Sequence, residues 1–359
     1  MPDRNANTEA SVTFAQVILQ TLDEVLEADP STLLFGLGVN DPKGVFGTTN
    51  GLYLKHGKHR VFETPTSENA MTGIGIGLAL GGYRPIMVHQ RLDFFLLAMD
   101  QLVNSAAKWH FMFGGESSVP ITIRLITGRG WGQGPTHSQN LHAWFAHIPG
   151  LKVVMPAFTS DVKGLLLSSI SDPNPVLYIE DRWLHGQMAP SQDGSTPIPL
   201  GQANYLRQGH DLTVVSSGYM SVEALKATNF AVANGIDIEL LDLRTIKPLD
   251  QDLIFESVRK TGKLLVADSG AAFCSFGSQV ITTVVANCFD ALSIAPKLVA
   301  APDVPEPTSY GVTENFKVSA ISIAEAIFEL MKRPTPANLY SDLRSLHHDV
   351  PDSSFTGPF

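Results

Sequence analysis

The sequence predicts an α/β protein, with a parallel-sheet domain followed by a second, smaller α/β domain. Three observations predict it. Short continuous apolar runs of the kind shown by buried parallel strands recur along the chain, helix-length segments separate most of them, and a Pro/Gly/Ser-rich break at about residues 186–200 divides the pattern. At 359 residues the chain is long enough for two domains, each with its own core.

Thr13 and Gln16 form a capping box ahead of Phe14, Val17, Ile18, Leu22, Val25 and Leu26, an amphipathic helix that Pro30 ends. STLLFGLGV follows as a buried strand, and RPIMVH, PITIRLI, LKVVMP and PVLYIE repeat the type. DFFLLAMDQLVNSAAKWHFM is apolar over more than one face and reads as a buried helix; SDVKGLLLSSI reads as another. Beyond the break, DLTVVSSG, IELLDLRTI, KLLVADSG and PKLVAAP are strands, with helices near VEALKATNFAVANG, DQDLIFESVRKTG and SFGSQVITTVVANCF. The expected organisation is a first domain over residues 9–190, a linker over 191–200, a second domain over 201–333 and a tail over 334–359. Several prolines and no clear period suggest that the tail wraps a surface or is flexible.

The formal net charge of −10 and the lack of a Lys/Arg-rich run argue against nucleic-acid binding. Cys274 and Cys288 fit neither a paired metal site nor a disulfide framework and read as buried small hydrophobes. The polar start MPDRNANTEAS lacks the apolar core of a secretory signal, and no apolar stretch of about 18 residues occurs. A cytoplasmic protein without a membrane partner is expected.

TGIGIGLALGG suggests a dinucleotide loop, but the G-x-G-x-x-G spacing fails at Leu78 and no parallel-type strand is read immediately before it. Small residues that let another helix approach are the better reading. Glu68 precedes that run, where a carboxylate at a helix N-terminus is by itself explained by the helix dipole. His137 lies between two expected strands in a stretch carrying Gly128, Gly130, Gly132 and Gly134. Glycines let backbone approach a ligand and His exchanges protons near neutral pH, which makes His137 an active-site candidate. His142 and His147 share the segment at helical spacing and read as surface or packing residues, without a carboxylate in register for a metal. P-loop, HExxH and GxSxG patterns are missing.

Taken in order, GVFGTTNGLYLKHGKHRVFETPTSENAMTGIGIGLALGGYRPI, DQLVNSAAKW, HSQNLHAWFAHIPGLKVVMP, KGLLLSSI and LLDLRTIKPLD resemble the β subunits of thiamine-diphosphate-dependent 2-oxo acid dehydrogenases (E1), those of the pyruvate, branched-chain and acetoin enzymes. The resemblance runs from about residue 12 to about residue 332. It implies a transketolase-like pyrimidine-binding domain followed by a transketolase C-terminal domain. It also implies thiamine diphosphate shared with an α-type subunit whose GDG motif holds Mg2+ and the diphosphate, in an α2β2 assembly. The present sequence contains no GDG. Some relatives further suggest a K+ ion in the first domain.

Residue by residue, the resemblance gives Glu68 the role of the glutamate that hydrogen-bonds N1′ of the aminopyrimidine, and Phe94 that of the aromatic packed near the same ring. His137 matches the HSQ histidine associated with acyl transfer to lipoyl. The implied reaction is decarboxylation of a small 2-oxo acid and transfer of the acyl group to a lipoyl-domain E2 partner. The sequence departs from the family at three usually acidic positions, now Leu37, Val88 and Ser269. These departures keep a second reading open, a carboligase or ketolase that passes the unit to a small biosynthetic acceptor, while Glu68 argues against a subunit that has lost catalysis.

Overall fold

The computed structural model describes residues 11–129, 132–190, 196–314, 316–344, 350 and 355. In the first half the order is β1 (Ser11–Thr13), α1 (Phe14–Ala28), β2 (Thr32–Gly36), α2 (Leu52–His56), β3 (Val61–Glu63), α3 (Glu68–Leu80), β4 (Arg84–His89), α4 (Leu92–Phe95), α5 (Trp109–Met112), β5 (Thr122–Thr127), α6 (His142–His147), β6 (Lys152–Val154), α7 (Thr159–Ser171), β7 (Val176–Asp181) and β8 (Met188–Pro190). The second half continues with β9 (Asn204–Arg207), β10 (Leu212–Ser216), α8 (Tyr219–Ala233), β11 (Ile238–Asp242), β12 (Thr245–Lys247), α9 (Gln251–Thr261), β13 (Leu264–Ala271), α10 (Phe276–Cys288), β14 (Lys297–Ala301), α11 (Tyr310–Thr313), α12 (Ala320–Leu330) and α13 (Leu339–Leu343). No helix among the described residues is long and apolar enough to cross a membrane.

A seven-stranded sheet runs β12-β6-β7-β5-β4-β2-β3, parallel except for β12, and a five-stranded sheet runs β14-β13-β10-β11-β9, parallel except for β9. Strand periodicity divides the first sheet into two cores. Leu34, Ile86, Val88 and Ile126 meet Phe14, Ile18, Leu22 and Leu26 of α1 and Val162 and Leu166 of α7. Phe35, Met87, Ile123 and Leu125 face the other way, into a core shared with Met71 of α3, Leu92, Phe95 and Leu102, and with Leu241, Val266 and Phe276 of the second half. The α1 capping box is present, with Thr13 Oγ1 accepting from the Gln16 amide at 3.2 Å and Gln16 Oε1 from the Thr13 amide at 2.8 Å.

Several expectations need correction. The segment beginning at Leu92 is not one regular helix: α4 passes into a 3-10 turn, a π-helical turn over Gln101–Ser105, a second 3-10 turn and α5. Only one of its faces packs within the chain, through Leu92, Phe95, Ala98, Leu102 and Ala106, whereas Leu97 and Phe111 are 69% and 90% exposed. A short parallel strand, β3, does precede the glycine-rich helix. Of the glycines in that helix, Gly75 lies against the sheet, where a Cβ would stand 2.8 Å from Ile121 and 3.2 Å from Phe35, and Gly73 admits Gln101. Cys288 is buried as expected, but Cys274 is exposed and takes a left-handed φ of 52°. Part of the tail is docked: Leu339 is buried among α8 and α12, and the Phe355 ring lies 6.3 Å from that of Trp183.

The two halves are joined by the antiparallel β12–β6 pair and by Arg244, whose Nε and Nη2 donate to the two oxygens of Asp161 at 2.8 and 2.7 Å. Beside them Asp242 is fully buried and accepts from Ser221 Oγ at 2.7 Å. Burial, reinforced by Asp161, pushes its carboxyl up to about 7 against that hydroxyl. An acid whose folded pKa is raised keeps its proton longer in the folded than in the unfolded chain. Stability from this group therefore falls as pH rises from the ordinary carboxylate value towards 7, by about 1.4 kcal/mol per pH unit at most. Asp242→Asn is expected to flatten that slope, measured as urea midpoints between pH 5 and pH 8.

Candidate active site

The chain leaves β2 to form β3 on one side and returns to form β4 on the other, so the strand order switches direction between β2 and β4. Crevices outside the carboxyl ends of strands at such a point are where open α/β sheets bind ligands. The connections that follow these strands meet there. A Cβ on Gly38 would stand 2.1 Å from the Gln90 amide nitrogen, and Glu63 at the end of β3 holds the loop after β2 by accepting from the amides of Gly38 at 2.5 Å and Asn40 at 3.2 Å.

Glu68 is the first residue of α3 rather than part of the loop before it, and is 5% exposed. Its backbone carbonyl accepts from Thr72 Oγ1 at 2.9 Å, but no hydrogen bond or ion pair to its carboxylate is found among the described residues. An ionised carboxylate is an acceptor only, so one that no described residue engages is open to a donor from a bound group. Glu68 can therefore accept a hydrogen bond from a ligand's N–H or O–H group.

Phe94 and His137, 43 positions apart in sequence, are brought together: their rings meet edge-on with centroids 5.4 Å apart at 87°. Both are half-buried. His137 Nδ1 lies 3.0 Å from Thr136 Oγ1, and the His137 amide donates to the Gly134 carbonyl. Two of the glycines admit the protein's own side chains rather than open space for a ligand: a Cβ would stand 2.6 Å from Asp181 Oδ1 at Gly128, where φ is +86°, and 2.1 Å from Thr308 Oγ1 at Gly134, whereas Gly132 has nothing within 4 Å. Gly130 lies outside the described residues.

Other residues of the site were not legible in the sequence. Asp93 Oδ1 accepts from the backbone amide of Gln139 at 3.3 Å and from its side chain at 2.8 Å, tying the histidine loop to the helix that carries Phe94. The Arg91 guanidinium donates to the Gly128 carbonyl and the Gln133 side chain. Arg129 donates to Glu306 at 3.3 Å and to the Pro307 carbonyl at 3.0 Å, from the first half to the second. Burial pushes the carboxyls of Asp181 and Glu306 up near these cations. His142 is buried and paired with Asp268, whereas His147 is exposed. No group of three His, Cys, Asp or Glu side chains suited to a metal ion occurs among the described residues.

Comparison with known proteins is consistent along the chain. Residues 10–188 match the transketolase pyrimidine-binding domain and residues 201–323 the transketolase C-terminal domain. The chain is 39% identical over 325 residues to the acetoin:2,6-dichlorophenolindophenol oxidoreductase subunit beta of Cupriavidus necator, covering 88% of this chain and 96% of that one. It is 36% identical over 316 residues to the pyruvate dehydrogenase E1 component subunit beta of Rickettsia felis, covering 88% and 97%. Among solved structures, one described as a split gene transketolase, inactive beta4 tetramer, superposes with a TM-score of 0.72 at 20% identity, over 90% of this chain and 99% of that one.

Proposed function

Because the chain belongs to the transketolase-like family of E1 β subunits of thiamine-diphosphate-dependent 2-oxo acid dehydrogenases, we propose that it works with an α-type subunit to decarboxylate a small 2-oxo acid and pass the acyl group to a lipoyl domain. The observation that carries this reading to the chemistry is Glu68, 5% exposed at the start of α3, whose carboxylate has no hydrogen bond or ion pair among the described residues.

Thiamine diphosphate, when bound, supplies the nucleophilic carbon and the electron sink for loss of CO2. Glu68 would accept a hydrogen bond from N1′ of the aminopyrimidine and so set the protonation of that ring. Phe94 would pack beside the same ring, on a helix anchored in the core by its buried neighbours Leu92 and Phe95. His137, held edge-on to Phe94, would donate or take a proton at the mouth during transfer of the acyl group to the acceptor.

The diphosphate and its Mg2+ are assigned to the GDG motif of the α-type partner, which this sequence lacks. Apolar side chains left exposed on this chain, including Ile74 and Leu80 on α3 and Leu97 and Phe111 beyond α4, support a large protein–protein interface. The reading takes the assembly to be a cytoplasmic α2β2 heterotetramer. It is tested by assaying 2-oxo acids with thiamine diphosphate and Mg2+, with and without the α-type subunit and a lipoyl domain. This chain alone is expected to show no turnover, and the co-purified pair to decarboxylate; turnover by the chain alone would refute the shared site. Acyl transfer to a small acceptor in preference to lipoyl would instead favour the ketolase reading.

A further inference from the structure

The loop that carries His137 ends in a contact that the reaction as described does not use. His142 opens α6 five residues after His137, and its Nε2 lies 2.8 Å from Oδ1 of Asp268 on β13 of the second sheet. Both side chains are about 2% exposed. Asp268 also accepts from the amides of Gly270 and Gly277, each at 2.8 Å, the latter in the first turn of α10. Burial alone would raise its carboxyl; His142 and the two amides outweigh it and hold Asp268 below the usual carboxylate range. The anion is thus fully engaged and fixed to the second domain. A Cβ on Gly270 would lie 3.4 Å from both the Asn140 carbonyl and His142 Cε1, so the end of β13 and the histidine loop are also in close packing.

At its other side the same loop is held by Asp93, through Gln139, to the helix bearing Phe94. His137 therefore stands just ahead of a stretch clamped by one carboxylate from each half of the chain. We propose that His142 and Asp268 are positioning residues for His137, so that acyl transfer depends on a contact made by the second domain. The proposal rests on the reading of His137 given above. It also gives a use to the carboxylate at 268, next to the family's acidic position that is Ser269 here.

The test uses the complete α–β complex with thiamine diphosphate and Mg2+ and follows two rates: 2-oxo acid-dependent reduction of an artificial dye, and acylation of a lipoyl domain. His142→Phe keeps the ring packed near Phe276 but loses the bond to Asp268. It is expected to lower lipoyl acylation about 10- to 100-fold, the scale of a misplaced reacting group, with dye reduction changed less than about 2-fold. His142→Gln, which can still donate to Asp268, is expected to recover part of the loss. In a His137→Ala background, His142→Phe is expected to add nothing further. Full acylation by His142→Phe, an equal fall in both rates, or an effect that multiplies with His137→Ala would overturn the proposal while leaving the functional reading intact. A wild-type complex inert to every 2-oxo acid would sink the functional reading and this proposal with it.

Discussion

Replacing Glu68 with alanine is expected to lower 2-oxo acid turnover of the reconstituted complex by about 10²- to 10⁴-fold, the range over which a positioned acid–base group contributes. The reason lies in its setting. Glu68 is 5% exposed at the start of α3, and no donor among the described residues reaches its carboxylate. No hydrogen bond or ion pair among the described residues is lost with this carboxylate, so Glu68→Ala should stay close to the parent in thermal stability while being inactive. Glu68→Gln fills the same space with an amide that cannot serve as a carboxylate and should be similarly impaired. Measurement of dye-coupled decarboxylation beside the thermal midpoint separates the two effects. Full activity in Glu68→Ala would refute the catalytic assignment, and loss of stability together with activity would mark Glu68 as a structural group.

The second large effect concerns the opposite face of the first sheet. Arg124 on β5 and Glu180 on β7 are both 0% exposed and pair through two bonds, Nε–Oε1 at 2.5 Å and Nη2–Oε2 at 2.9 Å, with His185 Nε2 3.2 Å from Oε2. Breaking a buried pair strands a charge, typically at a cost of about 3–5 kcal/mol, while replacing both partners by apolar groups of similar volume is often neutral or stabilising. Arg124→Met is therefore expected to lose about 3–5 kcal/mol, and Arg124→Met with Glu180→Leu to regain most of it. Urea unfolding at pH 7, read as a midpoint shift with an unchanged slope, checks this. Equal losses in the single and double variants would show that packing, not charge, dominates there. Burial alone would raise the Glu180 carboxyl, but Arg124 and the bonds to His185 and Arg124 hold it below its usual value. The stabilisation from this group is thus complete above the unfolded carboxylate pKa and is lost as pH falls through the lower folded value.

Much of the fold was legible because its signals are local. The Thr13/Gln16 capping box and the i, i+4 series Phe14, Ile18, Leu22 and Leu26 specify α1 without reference to the rest of the chain. Apolar runs such as TIRLIT mark strands buried on both faces. The strands that were missed, β1, β3, β8 and β9, have three or four residues and three of them pair antiparallel, and β12 was read as the end of β11; the identity of each depends on the neighbour it pairs with. Leu97 and Phe111 were read as buried because apolarity does not distinguish a core from a face left for another subunit.

The site divides in the same way. Glu68, Phe94 and His137 were singled out as candidates by the order of motifs, and the structure adds a ring contact between the last two. Asp93–Gln139 spans 46 positions and His142–Asp268 spans 126. No periodicity connects such residues, and His142 in isolation resembles any helix-opening histidine.

The pairing of β12 with β6 carries a lesson for anyone who would cut or recombine this chain. The last strand of the seven-stranded sheet is encoded after β11, on the far side of the linker. A fragment ended at the linker would present β6 as a raw hydrogen-bonding edge, an invitation to self-association. Its complement would carry an orphan strand and a bare Arg244 in place of the bond to Asp161. The exchangeable unit in a chimera is thus the whole chain, or a segment carried past Lys247, and not the piece that the composition break suggests.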